Sequence, residues 1–92
     1  MADDNAIQVM YFAAAWQETK KFSDLISLAD HPDGLPLAQL APILVSMYPH
    51  TKLKDVLQTA QWSVDAEMVD DVDRVTLKGG EEVVVVCPVS GG

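Results

Sequence analysis

The C-terminal stretch Val83-Val84-Val85-Val86-Cys87-Pro88-Val89-Ser90-Gly91-Gly92 holds the residues whose spacing suits chemistry. Four valines and a cysteine read as a buried strand, and the chain stops five residues after it on two glycines. At average usage a Gly-Gly end arises by chance in about 0.5% of chains, and a preceding strand with a Pro-x-Ser spacer makes the coincidence rarer. Glycine lacks a Cβ, so such a backbone can thread a narrow channel. Pro88 stiffens the exit and keeps Cys87 extended. The arrangement suits presentation of the Gly92 α-carboxylate inside another protein's active site. A carboxylate is a poor acyl donor; as an acyl-adenylate, its carbonyl would accept a sulfur or nitrogen nucleophile.

Other reactive sets are weak. His31 and His50 fall on turn segments with no Cys or His at ligand spacing, so neither a metal nor a triad site is expected. Asp71, Asp73 and Glu82 match positions 1, 3 and 12 of a calcium loop, but Val75 and Thr76 stand where an oxygen ligand and a glycine are required. Cys87 reads as a small core residue, and a lone cysteine permits no internal disulfide. Gly79-Gly80 reads as a hairpin turn and not a phosphate loop, because a strand follows it.

The elements that must position the tail follow from periodicity. Ile7–Phe12 is rich in β-branched and aromatic residues and predicts a strand, with a short helix in "AAAWQETKK". Asp24–Asp30 alternates as a second strand pairing back on the first, and "HPDGLP" is turn chemistry. Leu37, Leu40, Leu44, Met47 and Tyr48 form an apolar helical stripe; Pro42 either kinks that helix or lies in its first turn. "TKLKDVL" predicts a short helix or turn. In "TAQWSVD", Ala60, Trp62 and Val64 are expected inward and Gln61, Ser63 and Asp65 outward. "AEMV" and "RVTL" are short strand candidates on either side of the acidic turn "DDVD". The order predicts a small α+β domain, one mixed sheet curled over one main helix, spanning residues 1–92 with an extended tail over 88–92.

The last strand is apolar on both faces: Val83, Val85 and Cys87 on one, Val84 and Val86 on the other. Only one face of such a sheet can meet a helix, so the second is expected to be covered by a partner, with Met10 and Phe12 of the first strand adding to the patch.

Composition sets the remaining bounds. Ninety-two residues with 49% hydrophobic content fold, but bury only roughly 60–65% of their unfolded surface, leaving little room for a deep cavity. The net charge of −8 disfavours phosphate-backbone binding and suits a basic partner surface or simple solubility. No apolar run reaches membrane-span length, and "MADDNAIQV" lacks the features of a signal peptide. A cytoplasmic setting is the expectation, with neither nucleic acid nor membrane as partner.

The strand "IQVMYFA", the turn "KGGEEV" and the tail "CPVSGG" together resemble the MoaD-type small subunit of molybdopterin synthase, a ubiquitin-like sulfur-carrier family. Cys87 stands where that family's tail usually begins with proline. The resemblance implies a ubiquitin-like β-grasp fold and no catalysis by this chain alone. An ATP- and Mg-dependent activating enzyme, an adenylyltransferase and sulfurtransferase, would adenylate Gly92, beside Gly91, and convert it to a thiocarboxylate. The large, MoaE-type subunit would receive the tail and transfer the sulfur to cyclic pyranopterin monophosphate for the molybdenum cofactor, in a heterotetramer. No permanently bound cofactor or metal is implied. Phe12, Met10, Val84, Val86, Pro88, Val89 and Ser90 would meet the partner. Alternatives that the residues leave open are a carrier for thiazole or tRNA thiolation, a ubiquitin-like protein modifier, and a non-covalent interaction module.

Overall fold

Alternation in the first strand divides the molecule into an inside and an outside. In the computed structural model, which describes residues 5–87, Ile7, Val9 and Tyr11 of β1 (Ala6–Tyr11) are fully buried, whereas Gln8 and Met10 face the opposite side. A left-handed residue, Ala13 (φ 52°), turns the chain into α1 (Ala13–Thr19), and β2 (Ser23–Ser27) returns antiparallel to β1. There follow β3 (Leu35–Pro36), α2 (Leu40–Met47), α3 (Leu53–Thr59), β4 (Gln61–Val64), β5 (Glu67–Met68), β6 (Thr76–Leu77) and β7 (Glu82–Val86). Strand order in the main sheet is β2-β1-β7-β4-β5, in which only the β1–β7 pair is parallel. The mixed sheet with helices on one face is the β-grasp arrangement expected from the sequence.

Two details differ from the sequence reading. The helical cover is shared: α1 and α3 contribute Ala15, Leu53 and Leu57 to the same core as Leu40 and Leu44 of α2. Helices of seven or eight residues are marginal alone and depend on this burial. The second concerns "RVTL", whose strand β6 pairs with β3 in a separate two-stranded sheet. The Gly79-Gly80 turn therefore links two sheets and closes no hairpin. The chain's own Glu81 carboxylate accepts from Gly79 N at 2.6 Å and from the preceding Lys78 N at 2.7 Å, and Gly80 N donates to the Ala6 carbonyl at 2.7 Å.

Pro42 does not kink its helix. A 3-10 turn over Leu37–Gln39 leads into α2, and Pro42 falls in the first turn of α2, where an N–H would have no intrahelical partner. Gly34 (φ 100°) is obligatory, because a Cβ there would lie 2.5 Å from Thr76 Cγ2. Among the described residues no helix is long and apolar enough to cross a membrane.

The β4–β5 hairpin turns on Asp65 (φ 50°) and Ala66 (φ 72°), two consecutive left-handed residues as a type I′ turn demands. Alanine is strained there and glycine is not. Ala66→Gly is expected to stabilise the fold by about 0.5–1 kcal/mol after the larger entropy loss of glycine is counted. Thermal unfolding would register this as a Tm higher by roughly 3–6 °C; a lower Tm would mean that Ala66 makes a contact worth more than its strain.

Candidate functional site

Because β1 and β7 run side by side in the same direction, they finish at the same edge of the sheet. The register pairs Val9 with Val83, Met10 with Val84 and Tyr11 with Val85. One step further, Phe12 leaves β1 while Val86, the last residue of β7, stays paired with Gln61 of β4. The Cys87 thiol reaches back to the Phe12 carbonyl at 3.7 Å. Cys87 is half-buried, packed against the core, and is the last residue before Pro88. The root of the tail is thus anchored on both sides; Pro88, Val89, Ser90, Gly91 and Gly92 themselves lie outside the described residues.

The outer face is organised in rows. Pairing across the strands sets Ser23, Met10, Val84, Ser63 and Met68 side by side. Val86 lies opposite Gln61 in the next row, toward the tail. Met10, Val84 and Val86 are half-buried, and Phe12 is 47% exposed at the sheet's edge. The inner residues of the same strands, Val83 and Val85, are fully buried. The sequence-predicted patch is therefore assembled, with every described member on one face. Ser63 points outward as expected but is 7% exposed, shielded between its neighbours.

Sequence reading missed Met68, which is 54% exposed and extends the apolar row to the far edge. It lies in a two-residue strand beside acidic residues, where alternation is too short to reveal a face. Leu25, 72% exposed on β2, belongs to the same face opposite Gln8. At the end remote from the tail, acids border the row. Asp65 accepts from Glu82 N at 3.0 Å through Oδ1 and donates its own N–H to the Glu82 carbonyl at 2.9 Å, with Glu67 two residues away.

Beneath the face, a polar contact ties β1 to β2 and α2. Asp24 Oδ2 accepts from Tyr11 Oη at 3.0 Å and from Tyr48 Oη, and Asp24 Oδ1 is 3.4 Å from Lys21 Nζ. The two tyrosine rings meet edge to face at 6.3 Å. Burial, then the hydrogen bond and charge of Asp24, pushes the Tyr11 phenol far above its ordinary range; the same causes push Tyr48 up to about 12. Tyr48 had been read only as the end of an apolar stripe, and nothing local pointed to Asp24.

Among the described residues no three His, Cys, Asp or Glu side chains gather as metal ligands would. His31 and His50 sit on separate turns. The chemistry this arrangement can support is presentation: an anchored root at Cys87 with an apolar face beside it.

No family model matches the sequence. Curated relatives do. The chain is 38% identical over 89 residues to the molybdopterin synthase sulfur carrier subunit of Mycosarcoma maydis, covering 95% of this chain and 94% of that protein. It is 39% identical over 94 aligned positions to the Aspergillus niger subunit of the same name, covering all of both. Among solved structures, one chain of the complex of subunits 1 and 2 of molybdopterin-converting factor from Helicobacter pylori superposes with a TM-score of 0.64 at 22% identity, over 95% of this chain and 99% of that one. The small archaeal modifier protein 1 of Methanosarcina acetivorans superposes with a TM-score of 0.74 at 18% identity, over 95% and 96%. These two show the fold.

Both tyrosines of the chain belong to the Asp24 contact. Raised phenol pKa values mean that the stability they confer is complete below the unfolded value of 10.0 and is lost as pH rises through the folded values. Near-ultraviolet titration is expected to show no tyrosinate step at pH 10 in the folded protein, only a rise near pH 12 or with unfolding. A step at pH 10 while far-ultraviolet dichroism stays native would contradict the geometry.

Proposed function

The chain belongs to the family of molybdopterin synthase sulfur carrier subunits, and from that premise we propose how its parts divide the work. The observation that carries the reading is the common exit of β1 and β7, which sets Phe12, Val86 and the tail's root on one edge. The apolar face that docks and the root of the tail that reacts are then held by the same two strands.

In the charging step, an oxygen of the Gly92 carboxylate attacks the α-phosphorus of ATP on an activating enzyme and pyrophosphate leaves. A persulfide sulfur of the activating enzyme then attacks the Gly92 carbonyl and displaces AMP, and a thiol of that enzyme cleaves the resulting S–S bond, leaving a thiocarboxylate and an enzyme disulfide. Mg with ATP serves that enzyme and is not held by this chain. Gly91 and Gly92 give the narrow cross-section the enzyme's channel requires, and Pro88, Val89 and Ser90 span from the face to the reacting atom.

In the delivery step, Met10, Phe12, Val84 and Val86 seat on a large subunit. The tail enters that subunit's active site, and its sulfur bonds to a carbon of cyclic pyranopterin monophosphate as a C–O bond at that carbon breaks, joining Gly92 to the substrate as a thioester. Water then cleaves the thioester at the Gly92 carbonyl, leaving the sulfur on the substrate and Gly92 as a carboxylate. Each carrier delivers one sulfur, so a dithiolene consumes two charged carriers, in keeping with a heterotetramer of two small and two large subunits. The carrier itself supplies no acid, base or metal to the transfer. The acids at the far end of the face, Asp65, Glu67 and Glu82, would steer it toward a subunit made basic by its phosphorylated substrate.

Intact-mass spectrometry after incubation with the activating enzyme, ATP and a sulfur source tests the charging step. Exchange of one oxygen for one sulfur, mapped to Gly92, is expected, and deletion of Gly91-Gly92 should abolish it. An unchanged mass, with an enzyme competent on its own carrier, would refute the reading. Isopeptide linkage of Gly92 to protein lysines would favour a modifier.

A further inference from the structure

Of the chain's six Phe, Trp and Tyr side chains, three lie exposed on one shoulder of the molecule: Phe12, Trp16 and Phe22. The shoulder is built, not incidental. Phe12 is the extended residue that caps α1, and the backbone N–H of Trp16 is directed to its carbonyl at 3.4 Å, so the docking face and the start of the shoulder share one backbone junction. The helix closes on Lys20 (φ 59°), whose N–H donates to Trp16 O at 2.8 Å. The buried Thr19 hydroxyl accepts from Lys21 N at 3.3 Å and donates toward Ala15 O at 3.0 Å, fixing the turn. Phe22 is thereby returned to 5.8 Å from the Trp16 ring, and the Lys20 ammonium lies 5.7 Å above that ring.

The fold leaves Phe22 67% and Trp16 37% exposed. Large aromatics and a rigid backbone are the ingredients of an interface anchor. The position matters more than the exposure. Phe12 belongs both to the docking face and to the shoulder, and its carbonyl contacts Cys87 at the tail's root. Any protein that covers the face and swallows the tail must pass beside Trp16 and Phe22.

We propose that Trp16 and Phe22 form a second anchor for the large subunit, which clasps this carrier around the β1–α1 corner as well as across the sheet. The inference rests on the docking reading above and adds its geometry. The large subunit is the chosen occupant because the shoulder is continuous with the face through Phe12, and desolvating an aromatic pair suits a lasting complex more than a brief charging encounter. Lys20 lies over the anchor, with Lys21 beside it paired to Asp24, whereas Asp65, Glu67 and Glu82 flank the opposite end of the face. The docking surface is therefore bipolar, and the cleft that receives the shoulder carries carboxylates at its rim. That polarity admits one orientation of the carrier and rejects its reverse.

The test is titration calorimetry and stopped-flow association of the full chain with its cognate large subunit. Trp16→Ala and Phe22→Ala are each expected to raise Kd by about tenfold. The Lys20→Glu variant should slow association, an effect that fades with added salt. Charging to the thiocarboxylate should proceed at the wild-type rate in all three, with melting curves confirming the fold. Val86→Asp on the sheet face separates the two levels of the account. If Val86→Asp loses binding while the shoulder variants bind like wild type, the second anchor is overturned and the docking reading stands. If the shoulder variants slow only charging, the shoulder serves the activating enzyme and the proposal is overturned. If the wild-type chain does not bind the large subunit at all, the docking reading falls and the anchor with it.

Discussion

The parallel pairing of β1 with β7 is the constraint on which the rest depends. It joins the first and last strands of the chain at the centre of the sheet, with Met10 beside Val84 and Tyr11 beside Val85. A parallel pair cannot be closed by a short turn, so the chain between them must travel around the molecule. That excursion supplies the three helices and the small β3–β6 sheet. It also makes both strands end at one edge, which gives the tail a fixed point of departure next to a face that only a partner can cover.

Stability and function divide the two sides of the sheet. Inward, Ile7, Val9, Val83 and Val85 are sealed against Leu40, Leu44, Leu53 and Leu57, with no buried side-chain polar atom left unpaired among the described residues. The Asp24 contact to both tyrosines fastens the β1–β2 edge to the end of α2. Outward, the same strands carry apolar residues that add little to the fold of the free chain. A carrier that must dock, react and leave keeps its docking residues off the core, so that neither event disturbs the packing that holds Cys87 at the tail's root.

Much of this was legible in the sequence because the strands alternate. Val83, Val85 and the paired Val84 and Val86 announce two apolar faces, and Ile7–Phe12 announces which residues join each. The Gly-Gly end and its Pro-x-Ser spacer point to acyl chemistry without any knowledge of the fold. Pairing was harder. That Thr76-Leu77 leaves the main sheet for Leu35-Pro36 follows from long-range contacts that two-residue strands cannot advertise. Met68 and the Trp16–Phe22 pair were hidden for a related reason: each joins its surface through tertiary neighbours and not through a run of apolar sequence. Asp24 gave no local sign that two tyrosines from distant segments would converge on it.

The central claim is that the face docks and the tail reacts, as separable functions of one domain. Single-turnover sulfur transfer from thiocarboxylated carrier to cyclic pyranopterin monophosphate on the large subunit tests it most directly, comparing wild type with the Val86→Asp carrier over a range of large-subunit concentrations. The account predicts that Val86→Asp reacts slowly when the large subunit is dilute and approaches the wild-type rate when it is saturating, because only docking has been weakened. A maximal rate that stays depressed at saturation, or a variant as fast as wild type at every concentration, would contradict it.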